Sequence, residues 1–92
     1  MVSDEEMKER SEAKDGMTYG QKAVGLTFNP SGDKNVQKVK ELYAEIIDLC
    51  KDLQTPRSDN ESSNERSRIL AVAITQAQTA QMWAVKGITF KF

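Results

Sequence analysis

The sequence predicts an all-α fold, on three observations. Apolar residues recur at three- and four-residue steps through 34–54 and again through 65–87, the spacing of a helix face. Ser3 with Glu6, Thr18 with Gln21 and Ser62 with Glu65 each have the spacing of a capping box, which marks a helix start. The composition, 38% hydrophobic and 29% charged over 92 residues, is that of one small, soluble, mostly helical domain. A chain this short buries a modest fraction of its surface and is marginal without further support.

The first element is an acidic helix within 1–16, opened by Ser3 and closed by Gly16. Asp4, Glu5 and Glu6 oppose the positive end of its dipole. Only Met7 and Ala13 are apolar within it, so it has little to bury. The region 17–33 then holds one to two turns of helix over 19–24, capped by Thr18 and ended by Gly25 in a left-handed conformation. Leu26, Thr27 and Phe28 read as extended, because Asn29 precedes a proline and is biased away from the helical region. Asn29, Pro30, Ser31 and Gly32 form a turn, and either Ser31 or Asp33 caps the next helix.

A long helix follows over 34–54. Its apolar positions Val36, Val39, Tyr43, Ile46, Cys50 and Leu53 alternate steps of three and four, a heptad seam, and Leu42, Ile47 and Leu49 widen it toward a second partner. A polar, proline-containing connection over 55–64 is expected to be flexible and tolerant of length changes. Ser62 then starts a helix over 65–87 in which Leu70, Ala73, Ala77, Ala80 and Ala84 form a small-residue strip, suited to close antiparallel pairing with the preceding helix. Gly87 stops it, and 88–92 reads as an extended tail. Ile69, Val72, Ile74, Met82, Trp83 and Val85 lie off the strip, more apolar surface than a two-helix core can hide. A symmetric homo-oligomer covers such surface most simply; the alternative is a monomeric bundle closed by the short N-terminal helices.

Several functions are disfavoured. The chain has 13 basic and 14 acidic residues, so no broad footprint for a DNA or RNA polymer is expected. It has no histidine, the usual acid–base group at neutral pH, and its single cysteine, Cys50, lies on the seam as a small core residue. No internal disulfide is possible, and no zinc-binding set occurs. Glu41 with Glu45 and Asp59 with Glu61 read as helix face and loop, so no metal or cofactor is expected. The glycines fit neither phosphate-loop pattern. No apolar run approaches the roughly 18 residues of a membrane span, and the acidic N-terminus is unlike a signal peptide. The expected location is the cytoplasm.

The chemistry concentrates in 18–34, where an aromatic ring, lysines and a polar turn precede a long helix. Those groups suit a flat, polar, negatively charged ligand. Lys34 stands in a first helical turn, where a cation opposes the dipole; it reads as a solvated lysine or as a ligand for phosphate. Tyr19 reads as a partly buried ring or as a stacking platform for a base. Arg66 and Arg68 read as partners of helix-surface acids or as phosphate contacts across a subunit boundary. Trp83 reads as an interface anchor.

Three blocks in order, MTYGQKAVGLTFNPSGD, VKELYAEIIDL and AITQAQTAQMWAVK, resemble the small bacteriophage anti-CBASS sponges. The resemblance spans residue 17 to about residue 89 and leaves out the acidic N-terminal segment and the 55–64 loop. It implies a helical, compact homo-hexamer, without enzymatic activity, that sequesters cyclic oligonucleotide second messengers in the cytoplasm of the infected host. By that resemblance the base-stacking tyrosine is Tyr19 and its partner lysine, from a different subunit, is Lys34. Gly20, Asn29 and Ser31 complete the expected cyclic-dinucleotide site, and Arg68 is the candidate for a separate cyclic-trinucleotide site. The competing expectations are a helical oligomer serving as an adaptor or structural phage protein, and a hydrolase of the same messengers, which the lack of histidine disfavours.

Overall fold

The computed structural model describes residues 16–91, so the acidic helix expected near the N-terminus and Phe92 lie outside the described residues. Among the described residues three helices occur in order: α1 (Tyr19–Ala23), α2 (Lys34–Leu53) and α3 (Glu61–Thr89). Among the described residues there is no strand. Helices α2 and α3 form the antiparallel hairpin expected from their periodicity, and α1 lies against α2.

The capping box of α1 forms as its sequence predicts. The Gln21 N–H donates to Thr18 Oγ1 at 3.1 Å, and the Thr18 N–H donates to Gln21 Oε1 at 3.0 Å. Gly25 ends the helix with a φ of +62°, and the Leu26 N–H reaches back to the Gln21 carbonyl at 3.0 Å. Residues 26–28 depart from expectation. They are not extended; the chain keeps turning, with the Phe28 N–H donating to the Gly25 carbonyl at 2.9 Å. The cause is tertiary. Lys40 of α2, a residue only 5% exposed, donates through its ammonium to the carbonyls of both Gly25 and Phe28 and draws the two together.

The next turn is as expected, with Gly32 at φ +66° and its N–H on the Asn29 carbonyl at 3.1 Å. Of the two possible caps, Asp33 is the one used: its Oδ1 accepts the Asn35 N–H at 2.7 Å. Replacing Asp33 with alanine should therefore cost about 1 kcal/mol. A thermal melt should show a midpoint lowered by about 4–8 °C.

The buried stripe of α2 is rotated from the one its apolar residues predict. The inward positions are Val36, Lys40, Ala44, Ile47 and Asp48, with Tyr43 and Cys50 at the margin, while Ile46 and Leu53 are largely exposed. A one-residue shift turns a helix face by about 100°. Helix α1 and its turn pack on this side of α2, and their backbone groups need polar partners there. Lys40 and Asp48 supply them.

Helix α3 also differs at both ends from its expected limits. Asn60, not Ser62, is the N-cap, its Oδ1 accepting the Ser63 N–H at 3.0 Å. The preceding connection is tied to α3: Gln54 Nε2 donates to the Ser67 carbonyl at 2.9 Å, and Asn64 Nδ2 donates to the Ser58 carbonyl at 2.7 Å. Gly87 does not stop the helix, which continues through Thr89. Glycine in a helix costs about 1 kcal/mol but ends it only where a left-handed residue and capping bonds are made, and Gly87 has no positive φ.

On the inner face of α3, Ile74, Ala77 and Gln81 are buried, so Ile74 takes the place expected for Ala73, which is exposed. The core is correspondingly small: Val24, Ala44, Ile47, Ile74 and Ala77, flanked by Ala23, Leu26, Tyr43 and Cys50. Phe28 is 71% exposed and Trp83 66%, and Ile69, Val72, Met82 and Phe90 are also outside. The described chain measures 52 × 29 × 22 Å, a rod with too little girth to enclose these side chains. No helix among the described residues is long and apolar enough to cross a membrane.

Candidate functional site

Tyr19 is positioned by its neighbour. Gly20 is buried where α1 meets α2, and a Cβ on it would overlap the Ala44 carbonyl. The absence of a side chain brings the Gly20 N–H within 2.7 Å of Asp48 Oδ1, a carboxylate only 2% exposed. A buried bond to an ionised acceptor is among the stronger kinds. Thr18, on the other flank, is buried as well. The backbone on both sides of Tyr19 is thus held, while Tyr19 itself is 48% exposed. The Lys51 ammonium, from the last turn of α2, sits 4.8 Å from the ring centroid.

Lys34, the first residue of α2, is exposed at the opposite end of that helix. Lys34 and Lys51 are seventeen positions apart in one unbroken helix, a separation of about 25 Å at 1.5 Å per residue. Asn29 and Ser31 accompany Lys34. Asn29 Nδ2 donates to the Asp33 carbonyl at 3.1 Å, its Oδ1 accepts from the Ser31 hydroxyl at 2.8 Å, and Ser31 Oγ accepts the Asp33 N–H at 3.1 Å. These bonds build the turn that carries Lys34. The expected dinucleotide residues therefore form two groups at the two ends of α2: Tyr19 with Gly20, and Asn29, Ser31 and Lys34.

Arg68 stands apart from both groups, on the exposed face of α3 beside the hairpin loop. Its Nε donates to Glu65 Oε1 at 3.0 Å, and the guanidinium makes a second contact through Nη2. The hydrogen bond from Arg68 holds the Glu65 carboxyl below its ordinary pKa, and the same bond raises that of Arg68. Arg57, Glu61 and Asn64 join this pair around an open concavity of about 530 Å³. An anion binding there has to compete with Glu65. Among the described residues no group of acidic or cysteine side chains could hold a metal ion.

Sequence reasoning missed Lys51, Lys40 and Asp48. Each reads locally as an ordinary solvated charge, Lys51 even as a favourable cation in a last turn. Nothing within a few residues of them announces the partner 12 to 32 positions away.

Taken together, a short clamped helix displaying a tyrosine, followed by a long antiparallel pair, defines a small helical-hairpin protein with its candidate groups at the ends of one arm. The Acb2/Tad1 hairpin domain matches residues 21–89, and the chain belongs to that family, the anti-CBASS protein 2 family. The match includes Lys34 and Arg68 and begins just after Tyr19 and Gly20. No curated protein and no solved structure matches the chain.

Proposed function

We propose that this protein is a non-enzymatic sponge that captures cyclic dinucleotide messengers, such as 3′,3′-cyclic GMP-AMP, and so blocks bacterial CBASS immunity. Membership of the Acb2/Tad1 hairpin family supports that reading. The observation that carries it is the separation of Tyr19 from Lys34 along α2. A cyclic dinucleotide is far smaller than about 25 Å, so one chain cannot close both groups on it. A pocket using both takes its ring from one subunit and its ammonium from another. The apolar side chains left exposed on the rod provide the surface for such assembly, for which a compact homo-hexamer is the proposed form. A two-fold interface offers two rings and two ammonium groups to a ligand that itself has two bases and two phosphates.

Capture alone blocks the signal, so no bond of the ligand is broken and no cofactor is needed. The proposed setting is the cytoplasm of the infected host. The test is to mix the protein with 3′,3′-cyclic GMP-AMP, remove free ligand, heat the protein and analyse what is released. Intact nucleotide is the expected result. Linear product would replace the sponge with a hydrolase, and no retained nucleotide would favour a helical adaptor or structural phage protein.

A cyclic trinucleotide is the proposed ligand at Arg68. Arg68→Ala should weaken trinucleotide capture while leaving cyclic GMP-AMP capture unchanged, as read by competition with each ligand separately. Equal loss of both would argue against separate sites.

A further inference from the structure

The Tyr19 ring does not face solvent alone, and the cation beside it suits the ligand class proposed above. Lys51 places its ammonium 4.8 Å from the ring centroid, within the range of a cation–π contact. The pairing is built by the fold: Asp48 holds the Gly20 N–H one turn earlier on α2, which fixes Tyr19 beside the last turn of that helix. Asp48 itself is buried and turned to that N–H, and the Lys51 ammonium lies over the ring instead. Its charge is therefore held at the ring, within reach of an anion that comes to rest there.

We infer that Lys51 is a second phosphate-binding cation of the dinucleotide site, supplied by the same chain as the stacking tyrosine. This rests on the sponge reading and extends it. A base lying on the Tyr19 ring brings its phosphodiester to the edge of that ring, within reach of a lysine already anchored there. Lys34 comes from about 25 Å away along α2 and so belongs to another subunit. Each half of the ligand then meets one cation in cis and one in trans. The short tether of Lys51 to the ring means that little side-chain freedom is lost on binding, since the ammonium moves only from ring face to phosphate.

The test measures binding of 3′,3′-cyclic GMP-AMP at several salt concentrations to the wild-type protein, Lys51→Met, Lys51→Arg and Tyr19→Ala. Methionine keeps the apolar stem and removes the charge, and Lys51 is exposed, so the melting temperature and oligomer mass should be unchanged. Loss of a hydrogen bond to a charged group predicts affinity lowered about tenfold or more in Lys51→Met, with a shallower dependence on salt. Lys51→Arg should restore both. Wild-type affinity and salt slope in Lys51→Met, with Tyr19→Ala still defective, would overturn the role of Lys51 and leave the sponge reading standing. Tighter binding by Lys51→Met would also overturn it, because the lysine would then be an obstacle on the ring. Failure of the wild-type protein to bind would remove both.

Discussion

Replacing Gly20 with alanine is expected to destabilise the protein by about 3 kcal/mol and to lower its melting temperature by about 12–25 °C. The new methyl group overlaps the Ala44 carbonyl, which is backbone in the middle of α2 and cannot rotate aside. Helix α1 has to lift, which stretches or breaks the 2.7 Å bond from the Gly20 N–H to Asp48 and leaves a buried carboxylate without its donor. Both effects act in the same direction. Few folded domains of this size have more than about 10 kcal/mol in hand, so a single methyl group removes a large part of the total. Because Tyr19 is the adjacent residue, nucleotide capture should fall as well, even at temperatures where the long hairpin persists. A melting temperature within a few degrees of wild type would mean that α1 does not approach α2 so closely.

Tyr19→Ala should weaken cyclic GMP-AMP capture by at least about 30-fold while sparing the fold. A stacked base is worth about 1–3 kcal/mol, and a two-fold site loses two such contacts at once. The combined loss is therefore about 30-fold at the least. Nearly half of the Tyr19 surface is already in solvent, so its removal costs the core little. Lys34→Ala should produce a similar defect from the other end of α2. The informative experiment mixes the two variants after dissociation and lets them reassemble. Subunits lacking the tyrosine still carry Lys34, and subunits lacking the lysine still carry Tyr19, so mixed interfaces regain a ring and an ammonium facing one ligand. Partial recovery of capture is the expected result. Independent loss with no recovery would mean that the two residues do not meet across an interface.

Much of the hairpin was legible in the sequence. The periodic stretch beginning at Lys34, the Thr18–Gln21 capping pair and the Asn29–Gly32 turn are local signals, carried by residues within a few positions of one another. They form where the sequence places them. The departures have a common cause. Lys40 and Asp48 are charged and read locally as solvated, yet both are buried because backbone groups of the α1 region require them. That demand comes from a segment at least 12 residues away, and no window of one helix contains it. Likewise Asn60 takes the cap expected of Ser62, in a connection tied to the side chains of α3 by hydrogen bonds.

The candidate site divides in the same way. The sequence alone determined an all-helical chain with two long arms, a tyrosine and a lysine on either side of a polar turn, and no histidine for acid–base chemistry. Read locally, Tyr19 and Lys34 stand only fifteen positions apart and belong to one stretch, 18–34. Tertiary structure decided otherwise. The clamp between Gly20 and Asp48 puts Tyr19 at the C-terminal end of α2, beside Lys51, while Lys34 begins that helix. The physical reason is the reversal of the chain through residues 24–33, which brings α1 back along α2 with its first residues toward the far end. Local propensity specifies that a turn occurs; only burial of α1 against Ala44 and Asp48 sets where the returning segment lands.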